Sequence, residues 1–383
     1  MGIHFTKEEF KERQSRVIRE LKNQGLDALL MFRQESMYWL TGYDTFGFVF
    51  FQCLILTVKG DLVLLTRAPD LRQAQNTSII NDIRIWVDKD GSNPSDELKN
   101  ILAELGLEKL KLGIEYDSYG LTGRNAIKLN NSLKNFANLQ DASELVSNFR
   151  VIKSPAEIKY VKRAAQLADN AMEAAWIYAH AGVNESKILA EMQGAIFNGG
   201  GDYPANEFII GSGNNALLCR YQSEKRDLDK IDQLSIEWAG TYKHYHSAMF
   251  RTIPIGKAND KQKKMYDACV ETLKACEDKL KPRSTAGEIF DTHAKTFDKL
   301  GYKNSRMNAC GYSLGALFAP NWMDWPMLYT GNPYVIQPGN VFFMHMILMD
   351  SANELAMNLG ETYLVTENGN ERLGKKKLDL VVG

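Results

Sequence analysis

The sequence predicts two domains in succession, an α/β domain over residues 1–150 and a larger α+β domain over 151–383. Length is the first reason, because 383 residues exceed what a single hydrophobic core usually supports. Alternation is the second: the first third trades amphipathic helical stretches with short β-rich runs. The third is a change near residue 150, where a long helix opens at Ser154-Pro155 and longer strands and helices follow in groups.

Each element has its own signal. "TKEEFKERQSRVIRELKNQG" places Phe10, Val17, Ile18 and Leu21 on one face and stops at Gly25, which predicts a helix. "LDALLMF", "FVFFQCLILTV", "DLVLLTR" and "IRIWV" are β-rich runs bounded by turn residues. "PSDELKNILAELG" predicts a helix entered through Ser95, and "LKLGIEY" another strand. At Ser154, Pro155 and Glu157 an N-cap, a first-turn proline and an acidic first turn coincide, so a helix should run from there toward Gly182. Helices are also predicted for "NESKILAEMQGAIFNGGG", "KQKKMYDACVETLKACEDKLK" and "STAGEIFDTHAKTFDKLG", with strands around 207–255 and from 334 to 366.

Composition narrows the function. A net charge of −1, with 44% apolar and 24% charged residues, gives no footprint for nucleic acid or an anionic membrane. "FGFVFFQCLILTV" stops at about 13 residues, short of the roughly 20 that cross a bilayer. "MGIHFTKEEF" lacks the basic-then-apolar pattern of a secretory signal, so a cytoplasmic protein is expected. The five cysteines are odd in number, scattered and free of CxxC spacing, and read as reduced, mostly buried side chains.

Chemistry concentrates in "LSIEWAGTYKHYHSAMFRTIPIG", residues 234–256, which alternates like a two-strand hairpin. Glu237 stands between Ile236 and Trp238; pointing inward it would be costly unless paired or functional, and pointing outward it would be solvated. His244 and His246 share one strand face, with His244 also readable as a turn residue. His246 either lines a pocket or is a half-buried polar side chain.

The order of "RVIKSPAEIKYVKRAAQLAD", a hairpin closing in "RTIPIG", then "GYSLG", "IQPGNVFF" and "ETYLVTENGNERL" resembles the pita-bread superfamily of creatinase, Xaa-Pro peptidases and methionine aminopeptidases. That resemblance implies a creatinase-type N-terminal domain, containing "MYWLTGY", and a pita-bread catalytic domain. Its metallopeptidases hold two metal ions with two aspartates, a histidine and two glutamates. Carried over one by one, these positions fall at Glu237, Ala248, Tyr312, His345 and Gly360, or Glu361 with a one-residue shift. Most of the donors are gone, so no metal and no cofactor are expected, although Glu237, His345 and Glu361 could in number hold a single ion.

Within the superfamily the hairpin and "FFMHMILMD" are most similar to the metal-free ectoine hydrolases and creatinase. The resemblance implies a hydrolase that opens a C–N bond in a small zwitterionic or cationic nitrogen compound. Glu237 would be general base or nucleophile, His345, helped by His246, would carry the proton, and Tyr312 would stabilise the oxyanion. Trp238, Arg251, Trp322, Asp324, Trp325 and Glu361 are candidate substrate contacts, and Phe48 a candidate wall that would require a homodimer. One departure stands in "LLCRYQSEK", where Arg220 and Tyr221 replace an expected Pro-His pair. The alternatives are a metal-dependent Xaa-Pro dipeptidase and a non-catalytic binding protein on the same fold. A small-molecule substrate is expected, with no nucleic-acid or membrane partner.

Overall fold

The computed structural model describes residues 2–383, which form two compact units meeting at residues 150 and 151. The first contains α1 (Lys7–Asn23), β1 (Ala28–Met31), α2 (Gln34–Thr41), β2 (Cys53–Thr57), β3 (Leu62–Arg67), α3 (Leu71–Thr77), β4 (Asp82–Trp86), α4 (Pro94–Glu104), β5 (Lys111–Ile114), α5 (Gly123–Leu133), β6 (Asn138–Asp141) and α6 (Glu144–Arg150). Its six strands run in the order β4-β3-β2-β1-β5-β6. Apolar clusters lie on both faces: Ala28, Leu30, Cys53 and Ile55 belong to one, Leu29, Met31, Leu54 and Leu56 to the other. Burial on two faces is why these strands read as unbroken apolar runs.

Two local expectations change. The run from Phe48 to Val58 forms a regular strand only over Cys53–Thr57, and before it Phe46, Val49 and Phe50 are exposed by 69, 44 and 50%. Helix α4 is capped by Asn93, whose side chain accepts from the Ser95 N–H, with Pro94 at the first helical position. Proline there loses no intrahelical bond, so the cap sits two residues before Ser95.

The second unit contains α7 (Pro155–Tyr178), α8 (Glu185–Asn198), β7 (Ile209–Ser212), β8 (Asp232–Tyr242), β9 (Tyr245–Ile255), α9 (Asp260–Lys279), α10 (Ala286–Lys299), β10 (Gly311–Ser313), β11 (Asp324–Met327), β12 (Val341–Asp350), β13 (Leu355–Thr366) and β14 (Gly369–Arg372). Helix α7 starts with the capping box of Ser154 and Glu157. The strands form one sheet, β11-β10-β12-β13-β9-β8-β7, with β14 added alongside β13. Strands β8 and β9 join through Lys243 and His244, both with positive φ (50° and 64°), as a two-residue hairpin turn requires. His244 is therefore a turn residue, its ring stacked on Phe318 at 4.1 Å.

Alternation divides this sheet into two faces. On one, Phe342, Met344, Met346, Met357 and Leu359 pack with residues of α9 and α10, and Trp238 donates its indole N–H to the Ala168 carbonyl of α7 at 3.0 Å. The same face carries Arg251, which donates to the Gly360 carbonyl at 2.8 Å and forms an ion pair with Glu361. Both side chains are buried, with 5 and 1% of their surface exposed. Arg251→Met should therefore cost about 3–5 kcal/mol by leaving buried Glu361 with only the more distant Arg372 guanidinium, 4.0 Å away. Adding Glu361→Gln should recover part of that loss, as read from the urea unfolding transition.

Candidate functional site

The other face carries the chemistry, and its register is fixed by backbone pairing. Glu237 lies opposite Phe250, Phe250 opposite Gly360 and Gly360 opposite His345, so these four form one row across β8, β9, β13 and β12. In the next row Ala239 faces Ala248, and Thr362 faces Phe343, which faces Tyr312 on β10. The Thr362 hydroxyl joins the halves of that row by donating to the Ala248 carbonyl at 2.8 Å. The positions matched to the superfamily's ligands thus share one face, and parity assigns the last of them to Gly360. Glu361 points to the opposite face, toward Arg251.

Glu237 and His345 are half-buried, while Tyr312, Trp322, Phe250 and Phe343 around them are buried. The Tyr312 hydroxyl donates to Glu237 Oε1 at 3.0 Å and accepts from Trp322 Nε1 at 2.9 Å. Indole, phenol and carboxylate form a directed chain, because an indole N–H can only donate and a carboxylate only accept. Asn206 Oδ1 in turn holds the Trp322 backbone N–H at 3.2 Å.

Electrostatics set the protonation states. Burial pushes Glu237 up to about 7, against the lowering effect of the Tyr312 hydrogen bond and the Arg220 charge. Burial holds the Tyr312 hydroxyl well above its ordinary value, so it stays a neutral donor. His345 is held down to about 4 by burial and is a neutral imidazole at pH 7. Its Nδ1 has no hydrogen-bond partner among the described residues.

Several candidate contacts take structural places. His246 is fully buried, and its Nε2 accepts the Ala205 N–H at 2.9 Å, which leaves that nitrogen no lone pair for proton transfer. Burial lowers it to about 3. Trp238, Arg251 and Glu361 serve the helix-covered face, away from the row of Glu237. Asp324 Oδ1 accepts the backbone N–H of Trp325 at 3.0 Å, and Trp325 is 39% exposed and packs edge-on against Tyr334 at 5.2 Å. Phe48 is buried in the first unit, edge-on to Phe46 at 5.7 Å. Sequence reading gave no role to Phe250 and Phe343, although Phe343 shares parity with His345, nor a charge role to Arg220.

A two-metal centre does not fit this donor set. Of the five matched positions only Glu237 offers a carboxylate and only His345 an imidazole; the Tyr312 hydroxyl is already committed, and Ala248 and Gly360 offer nothing. Among the described residues no three His, Cys, Asp or Glu side chains are grouped so that they could hold a metal ion.

Removing the Tyr312 hydroxyl should raise Glu237 further, since its bond favours the ionised form. A Tyr312→Phe variant, followed by infrared difference titration of the carboxyl against Glu237→Gln, should therefore titrate above pH 7.

The comparisons fit this architecture. The profile of metallopeptidase family M24 matches residues 159–367, more than half of the chain, and that of the creatinase/prolidase N-terminal domain matches 13–152. An ectoine hydrolase from Halomonas elongata is 28% identical over 97% of this chain and 97% of its own. A Xaa-Pro dipeptidase from Pyrococcus horikoshii is 25% identical over 97 and 99%. In fold, the prolidase of Pyrococcus horikoshii OT3 superimposes with a TM-score of 0.84 at 23% identity, covering 97% of this chain and 100% of that one. The prolidase of Thermococcus sibiricus does so with 0.87 at 21%, covering 98 and 99%. Strands β7 to β13 of the sheet that carries Glu237 lie inside the larger of the two matches, and by that match the chain belongs to metallopeptidase family M24.

Proposed function

We propose that this chain is a metal-independent hydrolase of the M24 family that opens a C–N bond in a small zwitterionic or cationic nitrogen compound of the ectoine type. The observation that carries the reading is the exchange at the ligand positions. One carboxylate survives, and it is bonded to a phenol and raised to about 7. The ectoine hydrolase relative, aligned over nearly the whole of both chains, supports the substrate class.

The chemistry then needs only this chain's side chains. Ionised Glu237 takes a proton from water as the oxygen attacks the amide or amidine carbon. Protonation weakens its hold on Tyr312, whose hydroxyl can turn to the heteroatom that gains negative charge. Glu237 then returns the proton to the leaving nitrogen as the C–N bond breaks. His345, neutral at this pH, is a hydrogen-bonding partner for the substrate and does not act as a standing acid. Arg220 is exposed and its charge is felt at both Glu237 and Tyr312, so it suits a substrate carboxylate. A homodimer belongs to the same reading; the exposed Phe46, Val49 and Phe50 give it an apolar contact surface.

The deciding experiment incubates the purified protein with ectoine and, separately, with an Ala-Pro dipeptide, with and without EDTA. Ectoine turnover unaffected by EDTA is expected; dipeptide turnover alone, lost on chelation and restored by manganese, would overturn the reading. Glu237→Gln should lower kcat by about 10²–10⁴-fold. Because the base must be ionised, kcat/KM should climb as pH rises through about 7, instead of through the ordinary carboxylate range. Arg220→Met should raise KM by about 10–100-fold, with kcat little changed only well above pH 7, where Glu237 stays ionised without the Arg220 charge.

A further inference from the structure

Gly360 stands in the same row as Glu237, yet its backbone does not demand glycine, since its φ lies outside the left-handed region. What demands it is a neighbour. A Cβ at this position would lie 2.6 and 2.7 Å from the Cζ and Cε2 atoms of Phe343 and 2.9 Å from Phe250 Cβ. The Phe343 ring therefore lies over Gly360, in the space a side chain there would take. That ring is fully buried and stands 5.4 Å from both Tyr312 and His345, which are themselves 5.8 Å apart. All three pairs are tilted, by 53 to 59°, an arrangement in which each ring limits the rotation of the other two.

We infer that Phe343 is a positioning residue of this site, filling the volume over Gly360 and so fixing Tyr312 and His345 in their orientations beside Glu237. The two residues form a matched pair: the glycine makes room, and the ring uses it. One consequence is that the superfamily's last ligand position cannot regain a side chain while the ring is in place. A plain core role is less economical, because Phe343 sits on the face that carries the chemistry and between two of its members. The kinetic arm of the test rests on the hydrolase reading above, and the stability arm does not.

The test is a double-mutant cycle of Gly360→Ala and Phe343→Leu, read by thermal melting and by kinetics on whichever of ectoine or Ala-Pro the unmodified protein hydrolyses. Gly360→Ala should lower the melting temperature by about 2–10 °C through overpacking. Its kcat should fall about tenfold or more, with KM within about threefold, because the reacting groups are displaced. Combining it with Phe343→Leu should return at least half of the lost melting temperature. Strictly additive effects, or a Gly360→Ala variant that melts like the parent, would overturn the inference. If Gly360→Ala does not fold, a folded double variant supports the inference and an unfolded one counts against it. Phe343→Leu alone then decides the positioning claim: a fall in kcat without a matching change in KM sustains it, and unchanged kcat and KM reduce Phe343 to packing. Should neither compound be hydrolysed, the functional reading fails while the melting cycle still judges the volume claim.

Discussion

Side chains on a strand alternate between two faces, and β8, β9, β13 and β12 hold that alternation in a common register. Everything chemical in the larger unit depends on this. A slip of one residue would turn Glu237 into the helix-covered layer and bring Arg251 and Glu361 to the face where Glu237 now stands. The apolar set of Met344, Met346, Met357 and Leu359, buried against α9 and α10, prevents the slip, because it would have to be exposed first. Packing on one face thereby fixes the chemistry on the other.

On that second face the dominant force is desolvation. It penalises the charge of Glu237 and of His345, with opposite consequences for their protons: the carboxyl is raised toward neutrality and the imidazole is lowered away from it. The hydrogen bond from Tyr312 and the charge of Arg220 offset part of the cost for Glu237. A carboxylate balanced near pH 7 can both accept and return a proton, a property that a fully solvated glutamate lacks. Trp322 completes the balance by donating to the Tyr312 oxygen, which leaves the hydroxyl proton for Glu237 in the resting site.

Much of this was legible in the residues themselves. The capping signature at Ser154 and Glu157 marks a helix start because its groups are adjacent in sequence. Alternation in "LSIEWAG" marks a strand, and the replaced ligand positions point to Glu237, Tyr312 and His345. Less legible were contacts that need a partner from elsewhere. Nothing near His246 in sequence shows that the Ala205 N–H occupies its Nε2, and nothing near Trp238 shows that its indole binds the Ala168 carbonyl. Both residues look like site candidates on polarity and size alone.

The sequence by itself determined the two domains, the hairpin, the family and the loss of most metal donors, since each is written in local pattern or in the order of motifs. Only the tertiary structure decided that Gly360, not Glu361, shares the row of Glu237, that Arg251 and Glu361 neutralise one another on the far face, and that Phe343 fills the space over Gly360. The physical reason is that register, desolvation and volume are properties of neighbours, and these neighbours lie up to about 110 residues apart along the chain.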